Sequence, residues 1–289
     1  QPHGQGVLTT PAGLGYNGEW KEGQINGHGR LTQLNGDVYD GQLVNGRRFG
    51  LGTLIYANGD RYEGRFADDQ RHGAGVFTGT NGFRYDGEWK NGKFNGAGAV
   101  VYPNGTIYKG AFNDDLAHGQ GKITYPDGGS YKGQWVAGVI EGQGKAIYPD
   151  GLIYKGQFRK ALRHGHGTMT TPAGYKYVGE WHDGERHGRG HAEFEDGSAY
   201  DGEFAKGQRH GQGKITFTDG FTYEGEWQEN QINGQGTAIY ANGDQYIGSF
   251  ARGGKREGKG KIIYASGDEW SGTWADGRPL HDGKGKPVQ

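Results

Sequence analysis

The sequence predicts an all-β chain, an elongated single-layer antiparallel meander of stacked β-hairpins, twisted and grooved. Three observations carry this. A 23-residue unit recurs throughout, its leading aromatic falling at Tyr16, Tyr39, Tyr62, Tyr85, Tyr108, Tyr131, Tyr154, Tyr177, Tyr200, Tyr223 and Tyr246, with Trp270 one residue late. Within each unit the apolar residues alternate with a period of two, and no segment has a helical period. Asn-Gly or Asp-Gly closes many units, at Asn58, Asn104, Asp150, Asp196, Asp219 and Asn242. Such self-similarity means a stacked array in which each unit needs its neighbours, and it leaves no stretch for a separate catalytic domain.

The unit from Gly128 to Gly151 shows how one copy folds. In its first strand Tyr131, Gly133 and Trp135 share one face while Lys132 and Gln134 take the other. In its second strand Gly142, Gly144, Ala146 and Tyr148 share a face. Each strand therefore sets rings beside bare glycines, and a ring from a neighbouring strand fills the gap a glycine leaves. Asp150-Gly151 is the pair that a two-residue type I′ turn selects, because both central residues need positive φ. The opposite connection, between Trp135 and Gly142, has room for a wider turn. Strands joined only by turns run antiparallel, two to a repeat, and advance the sheet by roughly 10 Å per repeat, on the order of 110 Å for twelve.

Composition supports a thin ordered chain. Only 32% of the 289 residues are hydrophobic and 62 are glycine, yet the glycines sit at fixed offsets beside seven Trp, 18 Tyr and 12 Phe. Period overrides the disorder that glycine alone suggests. With 32 basic against 33 acidic residues there is no global field to draw the chain onto nucleic acid. Cysteine is absent, which removes disulfides and thiolate chemistry and leaves the compartment open. No apolar run reaches the roughly 20 residues of a spanning helix, and no signal-peptide pattern is present. The chain starts at Gln1, compatible with a cleaved leader or a trimmed piece, so cytoplasmic, membrane-peripheral and extracytoplasmic settings all stay open.

The pattern Tyr-x-Gly-x-Trp/Phe, a loop, then Gly-x-Gly, as in YDGEWKNGKFNGAG from Tyr85 to Gly98, YKGQW at Tyr131 and YEGEW at Tyr223, resembles the MORN repeat over almost the whole chain. The resemblance implies an elongated grooved antiparallel sheet acting as a scaffold or adaptor, often near membranes, with phospholipid binding proposed for some members. The kinase, methyltransferase and anchor segments that accompany such repeats elsewhere are not seen in this sequence. Residues 1–13 read as a truncated repeat or cap, 14–280 as the array of about twelve repeats, and 281–289 as a C-terminal tail whose Pro287 can blunt an open edge. Three copies depart from the pattern and are expected to be least regular: Leu43 replaces the Trp or Phe, Gly79 replaces the pre-turn aromatic, and Phe250 to Gly260 carries one extra residue. From Trp89 onward the fifth position alternates between Trp and Phe, which reads as duplication of a 46-residue pair or as ring sizes fitted to unequal bending.

Function follows as expectation. A one-layer sheet has no second layer to cover its rings, so Tyr85, Trp89, Tyr131, Trp135, Tyr154, Phe158, Tyr177, Trp181, Tyr223 and Trp227 are expected to line a groove for an extended peptide or an amphipathic helix, unless curling or mutual packing hides them. Lys109, Lys132, Lys155, Arg159, Lys160 and Arg163 are the candidates for an anionic phospholipid or another anionic partner, since eight basic residues face five acidic ones between Gly105 and Gly167. From Tyr175 to Gln231 the balance reverses, six against twelve. Open first and last strands allow a homo-oligomer. His164, His166, His182, His187 and His191 cluster in sequence, but equivalent positions of successive repeats lie roughly 10 Å apart, too far to share an ion. Neither metal nor cofactor is expected. No nucleophile is paired with an oriented base, and the Gly-x-Gly strings open no helix, so the expectation is a non-enzymatic scaffold with a protein partner.

Overall fold

A seven-residue and a nine-residue strand make up each repeat, as in Arg84–Lys90 and Lys93–Val101. The computed structural model describes residues 1–280, and the tail from His281 to Gln289 lies outside the described residues. Two compact units divide the chain, residues 1–142 and 143–289. In the first, strands from Gly4–Thr9 to Ser130–Val136 pair antiparallel with their neighbours in sequence. In the second the same meander runs from Ile153–Arg159 to Arg278–Pro279.

The turns are the reverse of the sequence expectation. Two-residue turns with both φ positive sit at the other end of the hairpin: Asn91 and Gly92 at 50° and 81°, Ala137 and Gly138 at 48° and 82°. At the Asn-Gly end only the glycine is left-handed, with Gly105 at φ 84°. There the Tyr102 amide donates to the Thr106 carbonyl at 2.9 Å and the Gly105 amide to the Tyr102 carbonyl at 2.9 Å, closing a three-residue loop. This is a type I turn followed by a left-handed glycine. Asparagine serves it through its side chain: Asn104 Oδ1 accepts the Thr106 amide at 3.0 Å, as Asp150 and Asp219 do for Leu152 and Phe221. That bond satisfies the turn without requiring asparagine itself to enter the left-handed region.

Glycine and tyrosine make the core together, as the sequence implied. Gly87 and Gly98 are directly opposite on paired strands. A Cβ on Gly87 would lie 2.5 Å from the Gly98 Cα and 2.7 Å from the Ala97 carbonyl oxygen, and one on Gly98 would lie 2.7 Å from the Tyr85 ring. The bare pair lets the ring lie across the neighbouring backbone, where the Tyr85 hydroxyl donates to the Glu88 carbonyl at 2.6 Å. Tyr16, Tyr39, Tyr154 and Tyr223 make the same bond to the residue three ahead. The register then slips by two residues between Gly87 and Trp89, where Glu88 alone opposes the three residues between Phe94 and Gly98, a β-bulge that recurs at Gly18, Gly41 and Gly225.

The departing copies are as regular as the rest. Leu43 is buried like the rings it replaces, and its strands hold the usual register of Gly41 on Gly52 and Leu43 on Arg48. Beside Gly79, Phe83 supplies a ring 6.0 Å from Phe77. The extra residue is absorbed in the turn between Ala251 and Lys255, and Gly248 still faces Gly260.

Candidate partner-binding face

The ten aromatics expected to line an open groove are core. Tyr85, Trp89, Tyr131 and Trp135 in the first unit, and Tyr154, Phe158, Tyr177, Trp181, Tyr223 and Trp227 in the second, are all buried. No second layer is needed, because the rings are covered by rings of their own and adjacent repeats. Tyr85 meets Trp89 edge-on at 5.1 Å and Phe112 at 5.5 Å; Tyr154 meets Phe158 at 5.0 Å and Trp181 at 5.2 Å. Burial pushes the Tyr108 and Tyr154 phenols up to about 12, with Arg163 pulling Tyr154 the other way.

A different aromatic row faces solvent. It comes from the residue two before the Asn or Asp of most Asn-Gly and Asp-Gly turns and from ring neighbours beside it. In the first unit Tyr56, Phe77, Phe83, Tyr102 and Tyr125 form it, with Tyr56 to Phe77 at 6.1 Å and Phe83 to Tyr102 at 6.0 Å. Tyr102 and Tyr125 are each 39% exposed. In the second unit Tyr148, Tyr175, Phe194, Phe217, Tyr240 and Tyr264 occupy the row, with Tyr175 5.6 Å from Phe194. Each unit hollows its row at a place where turn carboxylates rim it. A hollow of ≈ 510 Å³ is lined by Asp37, Tyr56, Asp60, Arg71 and Phe77, and one of ≈ 750 Å³ by Asp219, Phe221, Tyr240, Asp244, Arg256 and Tyr264. Asp60 is held below the ordinary carboxylate range by the Thr80 amide and the Asn58 side chain.

Arginines clasp consecutive repeats along the floor of this row, which the sequence reading missed. Arg71 stacks 4.1 Å from the Trp89 ring and donates through Nη2 to the Gly92 carbonyl at 2.8 Å. Arg163 does the same to Trp181 at 4.6 Å and Gly184 at 2.8 Å, and Arg209 to Trp227 at 4.5 Å and Asn230 at 3.0 Å. Arg186 donates to the Tyr175 hydroxyl and sits 5.4 Å from Phe204. A planar fork that satisfies a carbonyl while its flat side lies on a ring suits arginine and not lysine. The signal was legible: Arg-His-Gly recurs at Arg71, Arg163, Arg186 and Arg209.

The basic candidates are dispersed. Arg163 is spent on the inner face in that clasp, and Arg159 is tied to Asp183 at 2.8 Å. Lys155 and Lys160 are exposed in the second unit, Lys109 and Lys132 in the first. Lys109 and Lys132 flank Lys122, their Cα partner on the intervening strand, a residue absent from the candidate set. The histidines lie closer than repeat spacing implied, because His182, from the strand between, sits 5.2 Å from His164 and 5.6 Å from His187. The Asp183 carboxylate stands 3.7 Å from His164 and 3.6 Å from His182. Among the described residues no three His, Asp or Glu groups are placed to share an ion.

The MORN repeat family model matches the chain in twelve segments, from residues 1–14 and 16–38 through 246–269. No curated protein matches it. Among solved structures it is similar to the TCP domain of Drosophila melanogaster SAS-4 (dCPAP), in complex with a proline-rich motif of Ana2 (dSTIL), at 12% identity over 69% of this chain and 89% of that one, TM-score 0.32. It is also similar to a Danio rerio CPAP domain in complex with a STIL peptide, at 13% identity over 95% and 97% of the two chains, TM-score 0.27. These likenesses are too slight to transfer anything to this chain.

Proposed function

The chain belongs to the MORN-repeat family, and we propose that it is a non-enzymatic scaffold holding an extended protein segment along the half-exposed aromatic row. The row itself carries the reading. Apolar rings that recur once per repeat, partly open to water and hollowed between acidic rims, are what a peptide groove requires. Burial of the other rings supports the choice of face, since a guest reaching them would have to dismantle the core.

Spacing favours the extended conformation. Two strands advance about 9.6 Å, and three residues of polyproline II rise about 9.3 Å. The mismatch over four repeats is then only ~1 Å, so one residue in three meets successive rings. Two turns of α-helix, seven residues, rise about 10.5 Å and drift three times faster. Asp37 and Asp60, which make no ion pair among the described residues, favour a basic residue between the ring-contacting positions.

Affinity capture from the native cell tests this with Tyr102→Ser and Tyr125→Ser combined. Both rings are partly exposed, so circular dichroism and melting temperature should stay near the parent while the stoichiometric companion is lost. Undiminished recovery of that companion by the folded variant refutes the proposal.

A further inference from the structure

On the face opposite the rings, three lysines stand in one line across adjacent strands. Lys109 is the Cα partner of Lys122, and Lys122 of Lys132. All three are exposed, and among the described residues none of their ammonium groups makes an ion pair or hydrogen bond. The rows on either side carry no charge: Gln120 faces Gln134, and Ile107 faces Thr124, which faces Ser130. The nearest acid along the lysine line is Asp86, beyond Ala99, and it is engaged by Arg84 at 2.9 Å. Elsewhere on this face several cations have acids beside them, as Arg61 has Glu63, Lys176 has Glu193 and Lys214 has Glu224.

Like charges set directly opposite on paired strands destabilise a sheet. A row that keeps three of them, with uncharged rows on either side, is a local field of one sign. From this the geometry points to a phosphate-binding line whose occupant is a phosphorylated protein segment. Directly opposite Cβ atoms stand about 4.5–5.5 Å apart. Two ammonium groups at such a spacing can each donate to a different oxygen of one phosphate monoester, with N to O near 2.8 Å. Three lysines make two such gaps, and Lys122 borders both. The flanking Gln120, Thr124 and Ser130 offer hydrogen-bonding groups to a peptide and no apolar wedge to a bilayer. Three charges at about 1 kcal/mol each are also too few to hold this chain on an anionic membrane by themselves. This inference concerns the other face of the sheet and does not rest on the aromatic-row reading.

The test is titration calorimetry of the full chain with a synthetic peptide carrying two phosphoserines, its unphosphorylated twin, inorganic phosphate, and phosphatidylcholine vesicles containing phosphatidic acid. The phosphopeptide should bind, be displaced by inorganic phosphate, and weaken as salt rises, while the twin stays silent. Lys122→Gln should weaken it about tenfold or more, Lys122→Arg should retain it, and Lys214→Gln should leave it unchanged. Lys122→Gln should also raise the melting temperature, because two like-charge pairs disappear, a change that a merely structural lysine would not produce. Equal binding of the twin, or full affinity in a folded Lys122→Gln, overturns the site. Vesicle binding tighter than the peptide and lost in Lys122→Gln overturns the assignment to a protein segment in favour of a membrane.

Discussion

Replacing Gly98 with alanine tests the packing on which the fold depends, because strand propensity and packing predict opposite signs. In an ordinary strand interior, Gly→Ala stabilises by roughly 0.5–1 kcal/mol. Here the new Cβ would lie 2.7 Å from Tyr85 Cε2 and from its hydroxyl oxygen, against an ordinary carbon contact of about 3.5–4.0 Å. The ring must retreat by about 1 Å, yet it is held by Phe94 stacked at 3.8 Å and by Trp89 edge-on at 5.1 Å. Overpacking of this kind costs ~1–3 kcal/mol. Losing the hydroxyl's 2.6 Å bond to the Glu88 carbonyl adds about 1 kcal/mol. The expected destabilisation is therefore ~2–4 kcal/mol. In a Tyr85→Leu background the methyl meets no ring, so the same change should cost far less, giving a coupling of ~1–3 kcal/mol. Urea melts followed by circular dichroism and tryptophan fluorescence measure all four corners of the cycle. A Gly98→Ala midpoint at or above the parent, or an equal cost in both backgrounds, refutes the nesting argument.

Ala161 is exposed in a two-residue turn at φ 64°, which an alanine adopts only under strain, so Ala161→Gly should stabilise by about 1 kcal/mol; a lower melting temperature would count against the turn assignment. Alkaline pH should unfold the chain. Burial raises Tyr108, Tyr131, Tyr154, Tyr223 and Tyr246 from 10.0 to about 12, so the folded state binds those protons more tightly than the unfolded one. Their stabilisation is complete below pH 10 and is lost as pH climbs towards 12. Tyrosinate absorbance should therefore rise together with loss of the strand signal; titration near pH 10 with the strands intact would contradict the burial.

Much of this architecture was legible because it is local. A hairpin's partner strand lies within one repeat, so alternation and a constant period specify antiparallel neighbours and the facing of Gly87 by Gly98. The turns were misplaced because Asn-Gly serves two geometries. Its glycine fits either one, and whether Asn104 itself turns left-handed depends on the bond its side chain makes to Thr106. Asp68-Asp69 and Lys160-Ala161 also carry too little turn signal to mark the tight end, although their φ values are positive.

The period, the glycine offsets and the absence of any helical pattern determined, without coordinates, that this is a repeat array of hairpins with rings set over bare backbone. Tertiary structure alone decided which rings a partner can touch. Exposure of Trp89 or Tyr102 depends on what the adjacent repeat lays over it, a clasping arginine such as Arg71 in one case and open solvent in the other. Strand pairing is written in each repeat, whereas side-chain cover is a property of two repeats placed side by side.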